Sequence, residues 1–197
     1  MPDFICTDCG GGFSLPQSVL DRYPGWRPGR CLECRDRIET VRGGSGKADA
    51  QPEDPRSGVF TDGGASPNPG PGGWGAVYVV NDVLLAEEYG GDEATTNNRM
   101  ELTALIAALR LVPARVPTIV YSDSNLAVRT INEWAAGWEK RGWRRKTGPV
   151  ENLDLVKTVY EGFRQRPELE LRWIKAHAGF KWNEYADQLA NRWREDS

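Results

Sequence analysis

Four acidic residues stand where a chain can hold a carboxylate rigidly and still expose it. Asp62 follows the short apolar run Val59-Phe60-Thr61 and precedes Gly63-Gly64, and Asp123 follows Thr118-Ile119-Val120-Tyr121-Ser122. An acid at the exit of a buried strand is fixed by the strand yet reaches a cleft at the sheet edge. Glu101 lies in Asn97-Asn98-Arg99-Met100-Glu101-Leu102 and Asp187 in Asn183-Glu184-Tyr185-Ala186-Asp187. Singly, each reads as a solvated charge or a helix cap. Together they would repel one another unless protonated or neutralised by cations. Hard oxygen donors of this kind suit Mg²⁺ or Mn²⁺, so the four are expected to form one metal site.

The elements that must position these acids follow from pattern. Gly70-Pro71-Gly72-Gly73-Trp74-Gly75 has the spacing of a dinucleotide-binding turn, but that turn requires a following helix. Ala76-Val77-Tyr78-Val79-Val80 is β-branched and apolar and predicts a strand, with Asn81-Asp82 as a hairpin turn into residues 83–89. Three antiparallel strands are therefore expected to open the domain. Residues 97–111 predict a helix stopped by Pro113, with Asn97 and Glu101 on one face. A strand over 116–122 and a helix starting at residues 123–125 follow. Then come a helix over 151–166, a strand over 169–175 and a closing helix over 182–193 that carries Asp187. The order is that of a mixed α/β domain.

The N-terminal part differs. Cys6-Thr7-Asp8-Cys9 and Cys31-Leu32-Glu33-Cys34 contain all four cysteines of the 197-residue chain. Two C-x₂-C pairs separated by turn-forming glycines and prolines predict a tetrahedral Zn²⁺ site holding residues 1–42 as a small zinc-ribbon-like module. Two disulfides are the plainer alternative. A redox C-x-x-C would need a strand and helix that the sequence does not suggest. The module is compatible with nucleic-acid contact, protein docking or a structural cap. Residues 43–57, rich in Gly, Pro, Ser and charge, read as a flexible linker to a catalytic domain over 58–197. The net charge of −3 excludes a globally basic nucleic-acid binder, so any such binding must use a local patch. No secretory signal or membrane-spanning run is visible, and a cytoplasmic monomer without membrane contact is the expectation.

Five segments in order then carry a resemblance: Thr61-Asp62-Gly63, residues 68–75, Thr95-Thr96-Asn97-Asn98-Arg99-Met100-Glu101-Leu102, Ser122-Asp123-Ser124 and His177-Ala178-Gly179. Together they resemble type 1 ribonuclease H from about Gly58 onward. The resemblance implies a mixed five-stranded sheet flanked by helices, and hydrolysis of the RNA strand of RNA/DNA hybrids to 5′-phosphate and 3′-hydroxyl ends. It implies two catalytic Mg²⁺ or Mn²⁺ ions held by Asp62, Glu101, Asp123 and Asp187, with Asp62 bridging. His177, the only histidine and otherwise readable as an ordinary loop residue, corresponds to the family's mobile histidine. Gly64, Ala65, Ser66, Asn97 and Asn125 would face the RNA strand, and Asn68, Thr96 and Arg99 would hold a DNA phosphate. Trp134, Trp138, Lys140, Arg141 and Trp143 resemble the family's basic protrusion, where aromatic faces and cations track a DNA strand. The chain departs from the family at Ala176, where relatives often have glycine, at Phe180-Lys181-Trp182, and at Asn125, where glutamine is common. A transposase-like relative of the same fold and a non-catalytic hybrid binder are the rival readings.

Overall fold

A computed structural model describes residues 3–5, 12–14 and 54–195. The chain divides into two compact units, Met1–Pro52 and Glu53–Ser197. In the first, β1 (Asp3–Ile5) and β2 (Gly12–Ser14) pair antiparallel, and Phe4 packs on Phe13 with ring centroids 5.7 Å apart. The four cysteines lie outside the described residues.

The second unit is built on a mixed sheet. β3 (Gly58–Ala65), β4 (Gly70–Val80) and β5 (Val83–Thr95) form an antiparallel meander. Asn81 and Asp82 join β4 to β5 with φ of 52° and 63°, the left-handed pair that a tight hairpin turn requires. β4 runs unbroken through the glycine-rich segment, so no helix follows it and the dinucleotide-turn reading is excluded. β6 (Thr118–Ser122) lies parallel to β3, and β9 (Leu169–Trp173) lies parallel to β6. The sheet order is β5-β4-β3-β6-β9.

Helix α1 (Asn97–Leu111) starts at the N-cap Thr96, whose hydroxyl accepts from the Arg99 amide, and it ends two residues before Pro113. α2 (Asn125–Arg129) is capped by Ser124 and continues through a wide π turn (Thr130–Trp134) into α3 (Ala135–Lys140). The basic stretch beyond Lys140 leaves the helix. Gly142 and Trp143 adopt positive φ, and β7 (Arg144–Arg145) pairs with β8 (Gly148–Pro149). α4 (Leu153–Gln165) and α5 (Lys181–Arg192) complete the unit. Among the described residues no helix is long and apolar enough to cross a membrane.

Sheet alternation assigns the helices to faces. A Cβ on Gly75, the register partner of Asp62, would meet Leu189 and Ala186 of α5; Phe60, Val77 and Val79 pack on that side with Trp182, Ala186 and Leu189. Gly63 points the other way. A Cβ there would lie 2.4 Å from the Met100 carbonyl carbon and 2.5 Å from the Glu101 nitrogen, so only glycine lets α1 cross β3 this closely. We predict that Gly63→Ala destabilises the domain by about 1–3 kcal/mol in urea denaturation. Gly64→Ala, which meets nothing within 4 Å, should have a much smaller effect.

Candidate active site

The parallel register of β3 and β6 aligns Thr61 with Ser122 and ends there, so the next residues, Asp62 and Asp123, lie side by side. β3 itself runs on through Gly63-Gly64-Ala65 against β4, so Asp62 lies within the strand and not, as the glycines suggested, at its exit into a turn. The Thr61 hydroxyl donates to the Tyr121 carbonyl at 3.0 Å and ties the two strands together. Gly63 admits the first turns of α1 from the opposite face and brings Glu101 over the same point. Carboxylate oxygens of Asp62, Glu101 and Asp123 all lie within 4.8 Å of one another. Asp187, on α5, is close enough to hydrogen-bond the Asp62 side chain.

Repulsion and burial leave their mark on these groups. Burial first, then the Asp123 and Asp187 charges, raise the Asp62 carboxyl from 3.8 to about 7. Glu101 is raised well above its ordinary value, by burial and then by Asp62 and Asp123. Its Oε2 is buried without a hydrogen-bond partner. A cluster of hard oxygens, mutually repelling and with one buried acceptor unsatisfied, fits a divalent cation.

The structure adds a supporting residue that pattern reading passed over. Asn183, 4% exposed, donates its Nδ2 to Asp123 Oδ2 at 3.1 Å. It precedes Asp187 by one helical turn, and that spacing is the sequence signal for a shared face. The Trp173 indole donates to the Asp123 carbonyl at 3.0 Å.

Other residues named from sequence fall in three groups around the acids. Ala65 donates its amide to Asn97 Oδ1 at 2.7 Å, and the Asn97 amide donates to Asn68 Oδ1 at 3.3 Å. These bonds gather the β3–β4 loop against the start of α1. Gly64 faces open space, whereas Ser66 and Asn125 are exposed. Beyond α1, Trp134 and Trp138 pack at a tilt with ring centroids 5.9 Å apart and line a groove of about 350 Å³ with Asn98, Ser124, Leu126 and Asn152. Asn98 was not singled out from the sequence, where its neighbour Asn97 carried the signal. Lys140 and Arg141 are exposed beside this groove's helix, while Trp143 turns to Tyr160 and lies under Lys157.

Arg99 is engaged elsewhere. Its guanidinium forks onto Asp154, with Nη2 to Oδ2 at 2.9 Å and Nη1 to Oδ1 at 3.3 Å, so gripping a phosphate would require it to leave that carboxylate. His177 is exposed in the turn between β9 and α5, with φ of 48°.

A mixed sheet with carboxylates side by side on two adjacent central strands, joined by Glu101 of α1 and with Asp187 of α5 beside Asp62, defines the class: an α/β protein of ribonuclease H-like fold with a hard-cation site. The family profile described as RNase H matches residues 54–195. A ribonuclease H of Gluconobacter oxydans is 43% identical over 150 residues, covering 76% of this chain and 99% of that protein. One of Methylorubrum extorquens is 45% identical over 139 residues, 71% of this chain, and the match spans 60% of that protein's length. The solved structure of LC11-RNase H1 in complex with RNA/DNA hybrid is 28% identical with a TM-score of 0.54, covering 70% of this chain and 96% of that one. The chain belongs to the ribonuclease H family, in its type 1 branch.

The raised carboxyls predict a pH-dependent cost of folding without metal. A folded-state value above the unfolded one contributes stability that is complete below about pH 4 and is lost as pH rises through about 7. In chelator, wild-type protein should therefore lose melting temperature relative to Asp62→Asn between about pH 5 and pH 8. Mg²⁺ should restore it at the higher pH. A difference between the two proteins that does not vary with pH would contradict this.

Proposed function

We propose that this chain is an endonuclease that hydrolyses the RNA strand of RNA/DNA hybrids at the Asp62, Glu101 and Asp123 cluster, with Asp187 as the fourth acid. The observation that carries the reading is the convergence of Asp62, Glu101 and Asp123, from β3, helix α1 and the end of β6, in a member of the ribonuclease H family. A relative solved with a bound RNA/DNA hybrid supports the substrate class.

The four acids would hold Mg²⁺ or Mn²⁺, which when bound supplies activation of the attacking water and stabilisation of the departing 3′ oxygen. The products would be 5′-phosphate and 3′-hydroxyl ends. The protein's own part is placement. Asn183 holds Asp123, and the Thr61 bond to Tyr121 fixes the strand beside Asp62. Exposed His177 is free to approach from its turn and pass a proton to or from solvent, which assists turnover without being indispensable.

Selectivity would come from contacts that test both strands. The open backbone at Gly64-Ala65, with Ser66, Asn97 and Asn125, is read as the side that meets ribose hydroxyls, the groups distinguishing RNA from DNA. Asn68 and Thr96 are read as phosphate contacts, with Arg99 joining them if Asp154 releases it. Trp134 and Trp138 would pack against DNA sugars, and Lys140 and Arg141 would neutralise phosphates, with Trp143 buttressing this surface through Tyr160. These contacts read backbone and sugar, so sequence preference should be slight.

For the N-terminal unit, the spacing of Cys6, Cys9, Cys31 and Cys34 supports a structural Zn²⁺ site within residues 1–42.

End-labelled RNA presented as single strand, RNA duplex and RNA/DNA hybrid tests the activity. Mg²⁺-dependent cutting of the hybrid alone is expected. Asp62→Asn should bind hybrid without cutting it, and His177→Ala should slow cleavage by about a hundred-fold while leaving it measurable. Tight hybrid binding with no cutting by the wild type in Mg²⁺ or Mn²⁺ would make the chain a binder instead.

A further inference from the structure

Residues 54–57 read from composition as the end of the linker, yet their contacts reach far along the chain. Asp54 Oδ2 accepts the backbone amide of Lys181 at 3.2 Å. Lys181 is the first residue of α5, and the N-cap Phe180 has no side-chain acceptor to offer, so the cap of this helix comes from Asp54. A carboxylate at that end is also favoured by the helix dipole.

The next residue along α5 is held from a second direction. Trp182, 6% exposed, donates its indole Nε1 to Asp82 Oδ1 at 3.0 Å. Asp82 in turn pairs through Oδ2 with Arg56. Its amide donates to the Arg56 carbonyl at 2.8 Å, and the Asn81 amide donates to Ser57 Oγ at 2.8 Å. The third residue, Asn183, holds Asp123. Lys181, Trp182 and Asn183 are thus each fixed by a different element, and two of the three ties lead back to Asp54–Arg56. The turn carrying His177 ends where this clamp begins.

We propose that Asp54 and Arg56 act as a positioning clamp on α5, setting the first helical turn so that Asn183 holds Asp123 and the His177 turn is anchored at its downstream end. The proposal rests on the catalytic reading of Asp123 and His177. A helix start without its cap frays, and fraying here moves Asn183 before it moves the buried residues further along.

Asp54→Ala and Asp54→Asn in the full chain test the clamp, with hydrogen exchange at the amides of Lys181 and Glu184 read beside hybrid cleavage. Asp54→Ala should speed exchange at these amides by about five-fold. It should lower kcat by a similar factor, about five-fold, with KM unchanged. Asn, which keeps an acceptor oxygen at the same reach from the backbone, should restore both. Unchanged exchange would overturn the clamp, and so would faster exchange with kcat unaffected. Exchange raised evenly across the domain, with no rescue by Asn, would reduce Asp54 to a general stability residue and overturn it as well. If the wild type fails to cleave hybrid, the catalytic reading falls, while exchange in Asp54→Ala still judges whether the cap exists.

Discussion

The mutual repulsion of Asp62, Glu101 and Asp123 is the constraint that the rest of the catalytic unit accommodates. Parallel pairing of β3 with β6 sets two carboxylates side by side, and burial raises Asp62 to about 7. Unpaired buried charge is costly, and here the fold sustains it through packing elsewhere. Val59, Phe60 and Val120 are fully buried in the same two strands. Asp62 and Asp123 come one residue after the last pair that β3 and β6 share, Thr61 and Ser122, and so adjoin this core without belonging to it.

Convergence from both faces of the sheet gives the site its rigidity. Glu101 arrives because Gly63 offers no side chain to α1, and Asp187 arrives because Gly73 and Gly75 let α5 lie directly on β4. The two helices begin near the acids with caps of different origin, Thr96 for α1 and the distant Asp54 for α5. Polar residues around the α1 start, Asn68, Asn97 and the Ala65 amide, are already bonded to one another, so their backbone framework is preorganised before any ligand arrives.

Much of this was legible in the sequence where local rules decide. The Asn81-Asp82 turn, the β-branched run after the glycines and the Pro113 stop each specify their element with neighbours a few residues away, and Asp123 at the exit of β6 followed from its strand. Asp62 was expected at a strand exit, but Gly63 and Gly64 continue β3 to Ala65, because they pair with Trp74 and Gly73 of β4. What escaped reading depends on partners far along the chain. Arg99 looked like a phosphate ligand beside Thr96, but Asp154, 55 residues later, occupies its guanidinium. The basic stretch after Lys140 forms a small hairpin through Gly142 and Trp143 at positive φ, which its run of arginines and lysines does not announce. Asp54 fell in a polar, breaker-rich stretch, and nothing local indicates that its carboxylate caps a helix 127 residues away. Asn183 showed only a one-turn spacing to Asp187, which does not reveal Asp123 as its acceptor.

The account's central claim is that these carboxylates are held together by the fold and completed by a divalent cation. Calorimetric titration of the metal-free protein with Mn²⁺ at about pH 8 tests it most directly. Saturable binding that is lost or greatly weakened in Asp62→Asn and Glu101→Gln, with the fold intact, is the predicted result. Binding of equal strength in the wild type and both variants, or no binding by the folded wild type, would contradict it.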